Sequence, residues 1–339
     1  MSRDLKASVI IPTHDRKQIL EKVLSYYGAQ TAREDQFEVV VINDGGSDDT
    51  QSMFASFTKI DPDEKKAFSK GQKRRIEAAL QGNLAGVIPE AEASPSVTYI
   101  EISKSGRSLA RNVGIGFSSH PLIIFADDDI FVEPGFVSKH IEVHRPNDRL
   151  VVKGIVIHTR SLDNPFSARW KLKDINSSFL ATGNASVLKE YIERAGGFDE
   201  NYKAYGWEDF DLGIHLEKAG LKSVARKIYG YHYDPKPTSL SPVNIYKKER
   251  ERGSTAVYLY SNHPLGWVKR FTLIKNRVLR ALFHLLGSKN WFLRKRKISS
   301  FKGLLRLIIR YKAYFDGVDD GKKDCGSHRG GCNGWNGNE

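Results

Sequence analysis

The sequence of 339 residues contains very little cysteine, only Cys325 and Cys332, and both lie among its last fifteen residues. No disulfide framework therefore holds the body of the fold together, and a reducing compartment is the simpler expectation. The chain has no run of roughly 18 consecutive apolar residues and no secretory signal in its first residues, so we expect neither a membrane-spanning helix nor secretion. The expectation is a cytoplasmic protein, one that can still lie peripherally at the inner face of the cell membrane.

Two common nucleotide-binding signatures are also missing. The turn after the first predicted strand has no Gly-x-Gly-x-x-Gly pattern, and the chain has no P-loop lysine motif. The sequence therefore lacks the main motif that would assign it to the dinucleotide-dependent dehydrogenases or to the P-loop proteins. A hydrophobic content of 40% is nevertheless enough for one large core or two smaller ones, which excludes disorder throughout.

Positive charge is concentrated in one part of the chain. Residues 241–312 carry 18 basic and 2 acidic side chains, whereas residues 1–240 carry 32 basic and 33 acidic ones. A uniformly basic nucleic-acid-binding protein would not show this partition. We predict a near-neutral catalytic domain over 1–240, a basic helical extension over 241–316 and a disordered tail over 317–339, which is rich in Gly, Asn and Asp.

Short β-branched runs alternate with helical stretches over the first 230 residues. Strands are predicted at 7–11, 38–42, 97–102, 122–126, 150–157, 179–181 and 223–228, and helices at 17–27, 47–57, 108–117, 187–195 and 208–219. The charged, proline-containing stretch over 58–96 is expected to be a peripheral insertion. This alternation predicts the α/β class, with a mostly parallel central sheet and flanking helices.

Polar residues follow four predicted strands, where an open parallel sheet binds its ligands. These residues are 12–15 (PTHD), 43–46 (NDGG), 105–107 (SGR) and 127–129 (DDD). Three consecutive aspartates repel one another unless a cation neutralises them, and carboxylate oxygens suit Mg²⁺ or Mn²⁺. Such an ion can bridge a diphosphate. The alternative is an exposed acidic turn or a helix cap.

A second acidic pair, Glu208 and Asp209, follows Gly206 and Trp207. Carboxylates at the start of a helix complement the helix dipole, which is a purely structural explanation. The Gly-Trp pair also offers a flexible approach and an aromatic plate, a combination suited to stacking on a sugar face beside a proton acceptor.

Jointly these motifs resemble the inverting glycosyltransferases of family 2, which have the GT-A fold. The resemblance extends from about Ala7 to His232. It is carried by residues 9–13 (VIIPT), 41–50 (VINDGGSDDT), 106–112 (GRSLARN), 127–129 (DDD) in place of the family's DxD, and 196–200 (GGFDE) leading to 207–209 (WED). The segment 206–209 (GWED) also resembles the acceptor-side segment of β-1,4-galactosyltransferases.

The resemblance implies donor-binding roles for several residues. Pro12, Thr13 and Asp44 would contact the nucleotide base, and Asp127 and Asp128 would lie near the ribose. Arg107 and Arg111 are alternatives for a base-side or a phosphate-side contact. The sequence departs from the family pattern at His14-Asp15, where Tyr-Asn is usual, and at Asn43, where Asp is usual.

The resemblance also implies the groups at the reacting centre. Asp129 would ligate Mn²⁺ or Mg²⁺, with His232 as a second metal ligand; a packed or exposed histidine is the alternative. Asp209 would be the catalytic base and Glu208 its partner. Trp207, Gly183 and Asn184 would lie near the acceptor or donor sugar.

The expected function is therefore a metal-dependent inverting transfer of a sugar from a nucleotide diphosphate sugar to a hydroxyl of a glycan or glycolipid. Uridine diphosphate is the commonest donor nucleotide. The alternative is a catalytically silent sugar-nucleotide-binding, glycan-binding or regulatory protein of the same fold. Nucleic acid is not expected as a partner.

The basic extension shows helical spacing of apolar residues. They are Trp267, Phe271, Ile274, Val278, Leu282 and Leu285, with basic residues between them. Such a stripe packs on the catalytic domain, docks on an anionic membrane surface, or binds nucleic acid or an acidic polymeric acceptor. Membrane docking would suit a lipid-linked acceptor.

Overall fold

The computed structural model describes residues 4–54, 84–89, 96–145, 149–174, 176–234, 242–286 and 302–327. The chain divides into two compact units. Unit 1 comprises Met1–Lys203 and Glu208–Asp234, and unit 2 comprises Ala204–Trp207 and Pro235–Glu339. Within the described residues, no helix has the length and apolar character needed to cross a membrane.

The described residues of unit 1 form a nine-stranded sheet. Its strands are β1 (Ala7–Thr13), β2 (Phe37–Asp44), β3 (Leu84–Pro89), β4 (Ser96–Ile102), β5 (Leu122–Ala126), β6 (Ile130–Val132), β7 (Leu150–Thr159), β8 (Asn184–Leu188) and β9 (Lys222–Tyr233). The order across the sheet is β3-β4-β2-β1-β5-β8-β7-β9-β6. Strands β4, β2, β1 and β5 are parallel, β7 and β9 are also parallel, and the other pairs are antiparallel. The predicted α/β class is confirmed, although the sheet is mixed outside the four parallel strands.

The parallel strands are buried on both faces. Val9 and Val39 belong to the hydrophobic cluster on one side of the sheet, whereas Ile10 and Val40 belong to the cluster on the other side. All four side chains are 0% exposed. Burying one such side chain stabilises the fold by about 1.5–3 kcal/mol. Because both faces of these strands are covered, their sequences are continuous apolar runs and do not alternate between apolar and polar residues.

Five helices flank the sheet in the described part of unit 1. They are α1 (Lys17–Gly28), α2 (Arg107–Phe117), α3 (Phe136–His144), α4 (Lys189–Ala195) and α5 (Glu208–Lys218). Helix α2 packs closely on β1 and β2 because Gly114 has no side chain: a Cβ there would lie 2.6 Å from carbons of Ile10 and Ile42. Helix α4 is capped by the next residue, Gly196, whose φ of 95° is a left-handed conformation that favours glycine.

Three predicted elements differ from the structure. The predicted helix at 47–57 is only a 3₁₀ turn, Thr50–Phe54, within the described residues. No strand forms at 179–181; β8 instead takes the first apolar residues of the predicted helix, because they pair between β5 and β7. The predicted insertion at 58–96 contributes the edge strand β3, and most of its other residues lie outside the described ones.

Unit 2 is helical in its described residues. Its helices are α6 (Pro242–Asn262), α7 (Gly266–Thr272), α8 (Arg277–Leu286) and α9 (Lys302–Ser327). The prediction of a disordered tail from residue 317 is wrong as far as Ser327, because α9 continues to that residue. Gly317 and Gly253 let α9 and α6 approach: a Cβ on Gly317 would collide with the carbonyl oxygen of Arg250, and one on Gly253 with that of Tyr314. Residues 328–339 lie outside the described part.

Candidate functional site

The carboxyl ends of β1, β2 and β5 carry the residues that the sequence singled out. Thr13, the last residue of β1, donates its hydroxyl hydrogen to Asp128 Oδ2 at 2.7 Å. Asp44, the last residue of β2, accepts hydrogen bonds from the backbone N–H groups of Ser105 at 2.6 Å and Gly106 at 3.0 Å. These bonds link the strand ends to one another and to the loop that leads into α2.

Asn43 has a structural role that explains its departure from the family pattern. Its side chain is buried, and its Nδ2 donates to the hydroxyl of Tyr99 at 2.9 Å. Its Oδ1 accepts the backbone N–H of Gly46 at 3.2 Å. An ionised aspartate has no N–H to donate to Tyr99, so an amide suits this position.

The other departure, His14-Asp15, also fits its loop. Asp15 has a positive φ of 52° and accepts the backbone N–H of Ser47 at 2.5 Å. This hydrogen bond is the main cause that lowers the pKa of Asp15. Asp15 therefore fastens the loop after β1 to the loop after β2.

Asp129 and His232 lie together because of the pairing of β6 with β9. Ile130 pairs with His232 across that ladder, and the N–H of Tyr233 donates to the carbonyl oxygen of Asp129 at 2.8 Å. Asp129 Oδ2 consequently lies 3.3 Å from His232 Nε2. The structure thus brings together the two residues expected to ligate a metal.

Arg16 is a functional candidate that the sequence reasoning missed. Its guanidinium donates to Asp128 Oδ1 at 3.3 Å and to Asp129 Oδ2. The signal available in the sequence was its place directly after residues 12–15. Its positive charge compensates two carboxylates that are only 7% and 6% exposed.

The ionisation of this acidic cluster follows from burial and from its neighbours. Burial, with the charge of Asp129, raises the pKa of Asp128 to about 6, although Arg16 opposes the shift. Burial also acts on Asp129, but the hydrogen bonds and charges of His232 and Arg16 together outweigh it and lower the pKa of Asp129. Burial disfavours the charged form of His232, but the hydrogen bond and charge of Asp129, with the charges of Asp127 and Asp234, outweigh burial and raise the pKa of His232.

The residues present fit a divalent cation. Asp129 Oδ1 and His232 Nδ1 are both buried, and neither has a hydrogen-bond partner within the described residues. Unpartnered buried polar atoms are costly, and a cation at Asp129 Oδ1 would relieve that cost for the carboxylate, with the imidazole of His232 close by. One carboxylate and one imidazole suit Mn²⁺ better than Mg²⁺, which prefers oxygen ligands alone.

Arg111 joins this cluster to the second acidic pair. It is 4% exposed, and its Nη1 donates to Glu208 Oε1 at 3.2 Å while its Nη2 donates to Asp127 Oδ1 at 3.4 Å. Its guanidinium also lies 5.6 Å from the centre of the Phe198 ring. Arg107, the other arginine considered, is the exposed first residue of α2.

Asp209 occupies the first turn of α5 beside Glu208. Burial, and then the negative charge of Glu208, raise the pKa of Asp209 to about 7, while Arg111 opposes the shift. The backbone N–H of Phe210 donates to Asp209 Oδ1 at 2.9 Å. A carboxylate with a pKa near neutrality is suited to accept a proton at neutral pH.

Gly183 and Asn184 were both expected near a sugar, and their surroundings differ. A Cβ on Gly183 would lie 3.3 Å from Asp127 Oδ2, so this glycine lines the acidic cluster. Asn184 is 1% exposed, and its Nδ2 donates to the carbonyl oxygens of Ile155 and Ile228. Its side chain belongs to the core of the sheet, which corrects the expected sugar contact.

A buried polar network, which sequence reasoning missed, surrounds Asn184. His140 Nε2 donates to Asn184 Oδ1 at 3.1 Å, and the Ser186 hydroxyl lies 2.8 Å from His140 Nδ1 and 2.9 Å from His144 Nε2. Burial lowers the pKa of His140 to about 3 and that of His144 to about 4. Both imidazoles are therefore neutral at pH 7. Their hydrogen bonds hold α3 against β8.

Trp207 was expected to offer an open aromatic plate, and its ring is covered instead. The side chain is 4% exposed, and its indole N–H donates to the carbonyl oxygen of Arg252 at 2.8 Å. The Arg252 guanidinium lies 4.9 Å from the ring centre, and the Phe271 ring lies edge-on at 5.9 Å. These contacts, all within unit 2, anchor the segment that precedes α5.

Comparison with known proteins identifies the family to which this chain belongs. The model described as Glycosyl transferase family 2 matches residues 8–85 and 83–196. The Uncharacterized glycosyltransferase YfnE of Bacillus subtilis (strain 168) is 26% identical over 289 residues, which cover 68% of this chain and 65% of that protein. Validoxylamine A glucosyltransferase of Streptomyces hygroscopicus subsp. limoneus is 25% identical over 260 residues, or 66% of this chain and 50% of that protein.

The chain thus spans between half and two thirds of the length of these curated relatives. Among solved structures, the mannosyltransferase PcManGT from Pyrobaculum calidifontis in complex with GDP-Man and Mn²⁺ is similar at 14% identity, with a TM-score of 0.49. That match covers 95% of this chain and 75% of the other.

Proposed function

The chain belongs to glycosyl transferase family 2, and on that premise we propose that it transfers a sugar from a UDP-sugar to a hydroxyl group of a glycan or lipid-linked glycan, with inversion at the anomeric carbon. Unit 1 has the α/β arrangement of the GT-A fold. The observation that carries the proposal is the continuous set of contacts from the Asp127–Asp129 cluster through Arg111 to the Glu208–Asp209 pair. The Asp127–Asp129 cluster suits the binding of a diphosphate with its cation. The Glu208–Asp209 pair suits the role of proton acceptor.

Donor binding is assigned to the strand ends. Pro12, Thr13 and Asp44 contact the base, and Asp127 and Asp128 lie near the ribose. This assignment is supported by the hydrogen bonds that hold Thr13 against Asp128 and Asp44 against the loop before α2. These bonds fix the polar atoms before the donor arrives, so that little ordering is left to occur on binding.

Asp129 and His232 would hold Mn²⁺ or Mg²⁺. Such an ion supplies positive charge to the departing diphosphate, whose negative charge grows as the glycosidic bond breaks. Since Arg111 is buried between Asp127 and Glu208, we assign it the positioning of those two carboxylates. The exposed Arg107 is left as the arginine that contacts the phosphates.

Asp209 is assigned as the general base. It accepts the proton of the acceptor hydroxyl while that oxygen forms a bond to the anomeric carbon, and the bond from this carbon to the diphosphate oxygen breaks. The raised pKa of Asp209 supports this role, because a base whose pKa lies near the working pH combines ionisation with proton affinity. Glu208, held by Arg111, would contact the donor sugar or the acceptor.

The experiment is a panel of nucleotide diphosphate sugars, each titrated with and without Mn²⁺, with binding and release of free nucleoside diphosphate followed separately. Cation-dependent release from one donor would support the transferase and identify its sugar. Binding of a donor without release, in the presence of a panel of glycan acceptors, would favour the silent sugar-nucleotide-binding protein. Absence of binding under every condition would refute both.

A further inference from the structure

Helix α8 presents apolar side chains on two faces. Phe283 is 8% exposed and stacks on Tyr311 of α9, with ring centres 4.8 Å apart. On the opposite side, Val278, Leu282 and Leu285 are 79%, 44% and 74% exposed. Their spacing of four and three residues places them on one stripe of the helix. The stripe is therefore not accounted for by packing against α9.

A cleft of about 360 Å³ lies at the beginning of the same helix. Its charged lining residues are all basic, namely Lys269, Lys275, Arg277, Arg280 and Lys322. Asp319 compensates part of this charge, since its Oδ1 lies 3.1 Å from Arg280 Nη1. The lining itself contains no acidic side chain, so the cleft is strongly basic.

The cations are close enough to act on one another. Burial, and then the charges of Arg280, Lys275 and Arg277, lower the pKa of Lys322, although Asp319 opposes them. Like charges gathered in a cleft are relieved by an anion, and a phosphate group accepts hydrogen bonds from several cations at once.

We propose that α8 and this cleft form a docking surface for an anionic membrane, with a lipid phosphate in the cleft and the stripe Val278, Leu282 and Leu285 in the boundary between headgroups and acyl chains. Positive charge beside an exposed aliphatic stripe is the chemistry that binds an anionic bilayer. A single-stranded nucleic acid would call for aromatic rings to stack on its bases, and this stripe has none. The inference rests on unit 2 alone and is independent of the chemistry proposed for unit 1.

Vesicle co-sedimentation of the full chain tests the proposal. Vesicles of phosphatidylcholine alone are compared with vesicles that contain 30% phosphatidylglycerol, at roughly 0.1 M and 0.5 M NaCl. We expect binding to the anionic vesicles only, weakened about tenfold or more by the higher salt. Equal binding to both kinds of vesicle, or binding to neither, would overturn the proposal.

Two pairs of substitutions separate the stripe from the cleft. Val278→Ser with Leu285→Ser, and Lys269→Gln with Arg277→Gln, should each lower the vesicle partition coefficient about tenfold. All four side chains are exposed. Because their replacement removes no buried contact, the fold should be unchanged, and circular dichroism checks this. Matched controls are Leu172→Ser, a leucine of unit 1 that is 80% exposed, and Lys227→Gln, an exposed lysine of β9. Unchanged vesicle binding by the Val278→Ser, Leu285→Ser variant would refute the role of the stripe. Unchanged binding by the Lys269→Gln, Arg277→Gln variant would refute the role of the cleft.

A further arm distinguishes the source of the phosphate. Inorganic phosphate, pyrophosphate and a labelled oligonucleotide are each titrated into the full chain and into the Lys269→Gln, Arg277→Gln variant. Binding of a free phosphate compound that depends on these two residues, without vesicle binding, would assign the cleft to a dissolved anion and overturn membrane docking. Oligonucleotide binding as tight as vesicle binding would overturn it in favour of nucleic acid.

Discussion

The pH dependence of transfer is the most informative prediction, because it follows from the surroundings of Asp209. Burial and the charge of Glu208 raise the pKa of Asp209 to about 7. The base acts only when it is ionised, so activity should rise with pH through this value. About a tenth of Asp209 would be ionised at pH 6 and about a hundredth at pH 5, so kcat/KM should fall roughly tenfold per pH unit below 7.

The variant Glu208→Gln tests whether the charge of Glu208 contributes to the raised pKa of Asp209. Removing the neighbouring negative charge should lower the pKa of Asp209 and move the acid limb of the profile to lower pH by roughly one unit, whatever happens to the maximal rate. Glu142→Gln, on the exposed side of α3, is the control and should leave the limb in place. The assay is the initial rate of nucleoside diphosphate release between pH 5 and 8, with donor binding measured at each pH. A flat profile, or a limb that Glu208→Gln does not move, would refute the assignment of Asp209.

The remaining predictions concern metal binding, the core and unit 2. Arg16→Gln should tighten Mn²⁺ binding about tenfold in electron paramagnetic resonance titrations, because it removes a competing cation, and unchanged affinity would contradict that. His140 and His144 have lowered pKa values, so the unfolded chain binds more protons below about pH 6.5 and stability falls as the pH drops. The loss should be about 2 kcal/mol between pH 6.5 and 5.5, about 1 kcal/mol for each histidine, measured by urea unfolding, and His144→Gln should remove its share. Gly317→Ala should destabilise the chain by about 1–3 kcal/mol through the collision between α9 and α6, whereas Gly303→Ala, with no atom within 4 Å, should not destabilise it, and equal effects would refute the packing argument.

The sequence predicted the four parallel strands β4, β2, β1 and β5, and the polar motifs that follow them, because both depend on local pattern. Val9 to Ile11 and Leu122 to Ala126 are apolar runs that end in polar residues, and the sheet brings those ends together by parallel pairing. The proximity of Asp129 and His232 could be expected only from the resemblance, since it depends on the pairing of β6 with β9 across about a hundred residues.

Other features depend on contacts that no local pattern reveals. The covering of Trp207 by Arg252, and the use of Asn184 in the core, follow from side chains that meet only in the folded chain. The glycines of α9 suggested disorder in the sequence, yet Gly317 serves close helix packing against α6. Composition alone does not distinguish these two uses of glycine.

The central claim is that unit 1 transfers a sugar with Asp209 as the base, and Asp209→Asn tests it most directly. The amide keeps the size of the side chain and removes its capacity to accept the proton. Using the donor identified in the panel, donor affinity is measured by calorimetry and transfer by product formation, in the same preparation of each protein. The account predicts unchanged donor affinity with transfer reduced about 10²–10⁴-fold. Loss of donor binding, or transfer within a few-fold of that of the unsubstituted chain, would contradict it.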